Sequence, residues 1–245
     1  MFSSDVGYDK FMGRFSTRLA PVFADFAGIE RGHRVLDVGA GTGALTAELA
    51  RREAIVSAVE PSPEFAAALQ SRFPDIDARQ GGAEHIPWPD ESFDAALAQL
   101  VVAFMSDAHA GLAEMRRVVR PGGVVAICMW TRDDMEMLAA INRTQAVVTP
   151  DRTADVSPYR SPESAYPLLG DDTQVEMLTV SAVYADFEEL WSSLGTGAGP
   201  AGQWALSLSD EQRAAAHDEL YRQVGEPAGS FTLNGTAWAA RVTRA

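Results

Sequence analysis

Cysteine is all but missing from this chain, with Cys128 the only one. No intramolecular disulfide can form, and no Cys/His cluster has the spacing of a zinc site, so a reducing, cytoplasmic setting without a metal is expected. Cys128 lies in the apolar run 124–130, where a small thiol packs as a core residue. Long hydrophobic stretches are lacking too. None approaches the roughly 20 apolar residues that span a bilayer, and the N-terminus has no basic-then-apolar leader, so neither membrane insertion nor export is expected. Basic charge is scarce, since 20 Lys and Arg against 34 Asp and Glu leave a formal net charge of −14. Nucleic-acid affinity rests on cations that neutralise phosphates, which disfavours a nucleic-acid partner. The two arginine pairs, Arg51-Arg52 and Arg116-Arg117, fall on expected helices and read as solvated faces. The histidines (His33, His85, His109, His217) are scattered, no orienting acid accompanies His85 or His109, and no catalytic residue is assigned.

What is present is a glycine-rich turn. Hydrophobic content of 47% and charged content of 22% are those of a globular protein, and 245 residues suffice for one sizeable α/β core. Within it, the apolar segment Val35-Leu36-Asp37-Val38 runs into Gly39-Ala40-Gly41-Thr42-Gly43, and a helical pattern follows from Ala44. Glycines here let backbone N–H groups approach a ligand closely, at the start of a helix suited to a nucleotide-like cofactor. Gly39-x-Gly41-x-x-Ala44 also satisfies a dinucleotide fingerprint, and Glu60 follows Gly39 by 21 positions at the end of a second apolar strand. An acid there can accept hydrogen bonds from both ribose hydroxyls of NAD or of S-adenosylmethionine, and the glycines alone do not decide between them.

Beyond the turn, strands near 34–38, 54–60, 75–79, 93–99 and 123–130 alternate with helices near 43–52, 62–72 and 107–118. This is the rhythm of a parallel sheet covered on both faces. Ser62-Pro63 opens one helix, and Pro121-Gly122-Gly123 reads as a turn after the helix that ends near Val119. Helical pieces are expected around 132–148 and 161–170, then a strand over 174–184 and a short helix capped by Asp186. Residues 195–202 form a flexible loop by composition, a helix starts at Ser209-x-x-Gln212, and Phe231 to Thr243 closes the chain as a strand.

Four features occur in the order and spacing of a known family. They are Asp37 before the glycines, Glu60-Pro61-Ser62, the run Gly81-Gly82-Ala83-Glu84-His85-Ile86-Pro87-Trp88-Pro89-Asp90-Glu91-Ser92-Phe93-Asp94, and Arg120-Pro121-Gly122-Gly123. Over about residues 30–130 the chain resembles the class I S-adenosylmethionine-dependent methyltransferases of the ubiquinone/menaquinone-biosynthesis type. The resemblance implies an α/β, Rossmann-like, doubly wound seven-stranded sheet of order 3-2-1-4-5-7-6 with strand 7 antiparallel. It implies one methyltransferase domain over 1–245, and residues 1–30 are read as an N-terminal helical lid and 131–170 and 190–230 as cap elements.

The implied activity is methyl transfer from S-adenosyl-L-methionine to an unidentified small molecule; the alternative is a protein that binds this cofactor or its product without methylating. By the same resemblance, Gly39, Ala40 and Gly41 pack against the methionine portion of the cofactor, with Thr42 and Gly43 completing the turn. Asp37 orients that end, Glu60 holds the ribose, and Pro61 and Ser62 border the adenosine. Ala83 and Glu84 meet the adenine edge; many relatives carry Asp where this chain has Gly82, which leaves Glu84 to serve the adenine amine alone. Gln99 and Leu100 mark the end of the fourth strand beneath the sulfonium. Tyr8, Phe11, Met12 and Arg14 are read as a lid, the alternative being an apolar helix docked on the sheet; Arg14 faces a carboxylate of cofactor or substrate or else forms a surface salt bridge, and Phe104, with Met105, packs a helix start or, like Trp130, walls the substrate pocket. The aromatics Tyr159, Tyr166, Trp191 and Trp204 are compatible with a planar acceptor or, equally, with the core of the cap, and the oligomeric state is left open.

Overall fold

A computed structural model describes residues 7, 9–152, 158–159 and 161–245. A π-helical turn, Asp9–Gly13, leads into α1 (Arg14–Phe26). The alternating core then runs β1 (Arg34–Val38), α2 (Ala44–Arg51), β2 (Ile55–Glu60), α3 (Pro63–Arg72), β3 (Asp77–Gln80), β4 (Phe93–Gln99), α4 (Ala108–Val118) and β5 (Val119–Met135). It continues through α5 (Glu136–Val148), α6 (Ala165–Leu169), β6 (Gln174–Tyr184), α7 (Phe187–Leu194), α8 (Gly199–Ser207), α9 (Asp210–Gln223) and β7 (Phe231–Thr243).

The sheet order is β3-β2-β1-β4-β5-β7-β6, as the resemblance implies. β1 pairs in parallel with both β2 and β4, and β5 runs parallel to β4. The chain steps outward from β1 to β3 and then returns to the other side of β1, so the carboxyl ends of β1 and β4 flank a topological switch point, where open α/β sheets place ligands. β7 runs against its neighbours. Gly122 N–H donates to Arg244 O and Arg244 N–H to Gly123 O, both at 2.8 Å, which joins the end of β7 to the start of β5. Thr179 faces Thr236 at 2.9 Å and Ser181 faces Asn234 at 2.7 Å, an antiparallel register with β6.

Contacts divide the chain into two compact units. One comprises the described residues of Ser16–Thr131, Ser157–Leu178 and Ala237–Ala245. Its core gathers Leu36 and Val38 of β1, Ala96 and Ala98 of β4, Leu112 and Met115 of α4, Val125 and Ile127 of β5, and Trp238 of β7. Central strands buried on both faces need such unbroken apolar runs. The other unit comprises the described residues of Met1–Phe15, Arg132–Val156 and Thr179–Thr236. There α5 packs on α9, Tyr184 stacks on Phe231 at 5.2 Å between ring centroids, and Ser209 and Gln212 close a reciprocal capping box at the start of α9.

Three expectations are corrected. Pro121-Gly122-Gly123 is an excursion within β5, not the turn before it: Phe93 pairs with Val119 and Ala95 already with Val124, so the partner strand carries extra residues between two ladder positions. β5 continues to Met135, so the following helix begins at Glu136 and not near 132. The glycine cluster 195–202 is loop only in its first half, because Gly199 opens α8 with Pro200 in the first turn, where a missing N–H costs nothing.

Candidate active site

The turn after β1 carries three glycines at positive φ, 68° at Gly39, 56° at Gly41 and 90° at Gly43. A Cβ on Gly39 would lie 2.6 Å from Val101 Cγ1, so the turn is pressed against the segment that leaves β4. Gly41 differs, since among the described residues a Cβ there would meet only Gly39 O, at 4.0 Å. The described residues thus keep space beside Gly41, which a tight turn built only for packing does not require.

Two buried carboxylates stand next to this space. Glu60, at the end of β2, accepts from Gly41 N–H and from Ser62 N–H, each at 2.9 Å, and is 5% exposed. Burial raises its pKa, while the bonds from Ser62 and Gly41 oppose the rise. Asp37 is 1% exposed and accepts a 2.6 Å bond from Thr46 Oγ1 on α2. Its pKa is pushed up to about 7, chiefly by burial and further by the Glu60 charge, against the hydrogen bond from Thr46. Thr46 escaped the sequence reading, although a hydroxyl on the inner face of the helix that follows a glycine turn is the signal that could have found it.

The remaining cofactor candidates join the site to different degrees. Ser62 Oγ accepts from Phe65 N–H at 3.4 Å, capping α3 while its own N–H holds Glu60; Pro61 beside it is exposed, Ala40 and Thr42 are buried, and Thr42 O accepts from Arg72 at 2.8 Å. Gly81 N–H donates to Glu60 O at 3.1 Å, which brings the loop after β3 to the same edge. In that loop Ala83 is buried, and Glu84 Oε1 accepts from Ser106 N–H at 2.6 Å, Ser106 Oγ at 3.0 Å and Asp107 N–H at 3.1 Å. Glu84 thus ties the loop to the start of α4. A Cβ on Gly82 would meet Glu84 Oε2 at 2.9 Å, so glycine at 82 makes room for that carboxylate.

At the end of β4, Gln99 Nε2 donates to Ser16 O at 3.0 Å, and its buried Oε1 has no partner among the described residues. Leu100 takes a left-handed φ of 63° and donates its N–H to Cys128 O at 2.9 Å. Cys128 is fully buried and its thiol pKa is driven upward by burial, as befits the packed core residue expected.

The substrate and lid candidates do not assemble as one group. Phe104 is 64% exposed, while Met105 packs on the helix start, its sulfur 2.8 Å from where a Cβ on Gly111 would fall. Trp130 is buried in β5. Phe11 and Met12 are buried in the π-helical turn of the other unit, and Tyr8 lies outside the described residues. Arg14 donates to Val183 O at 2.9 Å and Glu189 Oε1 at 2.7 Å, and its guanidinium lies 4.2 Å from the Tyr184 ring centroid. The carboxylate it faces is therefore the chain's own Glu189.

The arginine pairs, read as solvated, are engaged as well. Arg52 joins Glu48, Asp25 and Pro21 O, and Arg116 reaches Leu168 O at 3.2 Å. Arg117 binds Glu114, Asp90 and two backbone carbonyls. Among the described residues no helix is long and apolar enough to cross a membrane, and no group of three or more His, Cys, Asp or Glu is placed to hold a metal.

A seven-stranded sheet with one antiparallel strand, a glycine turn at its switch point and a buried acid at the end of β2 defines a Rossmann-like α/β protein. Comparison with known proteins narrows the class: residues 36–127 match the family model described as methyltransferase domain. An uncharacterized methyltransferase of Mycobacterium tuberculosis is 44% identical over 101 residues, 41% of each chain. The demethylmenaquinone methyltransferase of Tropheryma whipplei is 38% identical over 104 residues, 41% of this chain and 43% of that one. The chain spans about half the length, or less, of the curated relatives it matches. In fold, a protein of Anaeromyxobacter dehalogenans described provisionally as a type II methyltransferase superposes over 91% of this chain and 95% of its own, with a TM-score of 0.69 and 22% identity.

Proposed function

We propose that the protein transfers a methyl group from S-adenosylmethionine to a small-molecule acceptor. The observation that carries this reading is Glu60, a buried carboxylate fixed by Gly41 and Ser62 N–H groups beside a glycine turn that leaves space at Gly41. With two backbone donors setting its orientation, its other lone pairs suit a ligand's vicinal hydroxyls. Asp37 behind it supplies a second acid, and two acids sharing a desolvated site fit a ligand that brings positive charge. S-adenosylmethionine supplies a methyl group already activated by its sulfonium. The chain's own work is then to bind, orient and exclude water; a neutral amine needs no protein base, whereas a phenol or enol would be helped by one.

Calorimetric titration with S-adenosylmethionine, S-adenosylhomocysteine and NADH tests the reading. Saturable binding of the two adenosyl ligands alone is expected, followed by label transfer from methyl-labelled cofactor to a small acceptor in a metabolite extract. NADH binding, or no binding at all, overturns the cofactor; binding without transfer to any acceptor leaves a protein that holds the cofactor and does not methylate.

A further inference from the structure

Glu114 and Arg117 are three residues apart on α4, and together they hold the loop between β3 and β4. Arg117 Nε donates to Glu114 Oε1 at 2.6 Å and Nη2 to Oε2 at 2.8 Å. The same guanidinium reaches Ile86 O at 2.9 Å, Trp88 O at 2.9 Å and Asp90 Oδ1 at 2.8 Å. Glu114 Oε2 in turn accepts from Ile86 N–H at 3.0 Å, and Glu91 N–H donates to Arg117 O at 3.1 Å. Nearer the start of the helix, Ser106 and Asp107 hold Glu84. The segment 84–91 is thus held by the last turns of α4 and by the two residues before its start, while Gly81 at its entry is bonded to Glu60.

An isolated exposed ion pair contributes little to stability, and two charged side chains would not need this many backbone partners to be soluble. Two alternate carbonyls, a carboxylate and a neighbouring acid served by one planar fork are a geometry that lysine cannot reproduce. The charge balance agrees, since Glu114 and Asp90 raise the Arg117 pKa and Arg117 lowers that of Glu114.

We propose that Arg117 and Glu114 are positioning residues for the cofactor: they preset the loop after β3 so that an adenosine-bearing ligand seated at Glu60 meets a wall already ordered. The inference rests on the cofactor reading above. Ordering a loop at the moment of binding lowers affinity, and a loop fixed beforehand removes that cost.

The test is calorimetry with S-adenosylhomocysteine on the wild type, Arg117→Lys and Arg117→Met, together with hydrogen exchange on the same proteins. For Arg117→Met we expect affinity to fall by about ten-fold or more. The amides of Ile86 and Glu91 should lose protection while those of β1 and β4 keep theirs, and the ligand should restore protection to the loop. Arg117→Lys should fall between. Wild type that does not bind refutes the cofactor reading itself. Wild-type affinity in Arg117→Met despite an exchanging loop, or protection lost evenly through every strand, refutes the positioning role. If Arg117→Met does not fold, Glu114→Gln carries the same expectations.

Discussion

Asp37 should make the ligand-free protein less stable as pH rises through neutrality, an unusual direction for a carboxylate. Its pKa is about 7 in the fold against 3.8 for the free group, with burial the largest cause and Glu60 adding to it. Between those two values the folded protein keeps a proton that the unfolded chain has lost, so stability declines by about 1.4 kcal/mol per pH unit and by ~4 kcal/mol across the whole interval. Between pH 5 and pH 7 the loss is roughly 2 kcal/mol, flattening above about pH 8. Other groups titrate over the same range, so the measurement is a difference: urea unfolding of wild type and Asp37→Asn at half-unit steps from pH 5 to 8.5. Asparagine keeps an oxygen for the Thr46 hydroxyl and carries no charge to bury. The variant's advantage should grow by roughly 2 kcal/mol from pH 5 to 7 and then level off. Saturating S-adenosylmethionine should shrink that growth, because a cationic ligand favours ionised Asp37. Parallel stability curves for the two proteins would refute the reasoning.

Replacing Glu60 with alanine should weaken S-adenosylmethionine binding by about 1–3 kcal/mol, the worth of hydrogen bonds to a charged acceptor; unchanged affinity by calorimetry would remove Glu60 from the site. Gly39→Ala and Gly41→Ala should separate fold from function. The first forces a Cβ to 2.6 Å from Val101 at a φ of 68°, and thermal unfolding should show a loss of about 1–3 kcal/mol. The second has room for its methyl, so it should cost roughly 1–2 kcal/mol of left-handed strain while abolishing cofactor binding; ligand affinity retained in Gly41→Ala would show that the space serves nothing. Ser209→Ala removes half of the capping box at the start of α9 and should lower stability by about 1 kcal/mol in chemical denaturation.

Local chemistry was legible in the sequence wherever a residue acts on its own neighbourhood. The glycine pattern placed the turn after β1, Ser62, Asp186 and Ser209 stand at the helix starts expected of them, and apolar runs marked the parallel strands. These signals survive because steric limits on φ and the unpaired N–H groups of a helix start are set within a few residues. What the chain does with a charged side chain is another matter. Arg117 read as a solvated face and holds a loop up to 31 residues away; Arg14 read either as a hand for cofactor or substrate or as one half of a salt bridge, and it grips Glu189, 175 residues on. The same holds for Thr46 under Asp37, for Glu84 on Ser106 and Asp107, and for the extra residues folded into β5 at Pro121-Gly122-Gly123. A long side chain has donors to satisfy and several groups that could satisfy them. Sequence alone marked the turn and the acids proposed for this site, and most of the strands; only tertiary packing, by deciding which distant carbonyls and carboxylates came within about 3 Å, decided the course of β5 and what each arginine and glutamate does.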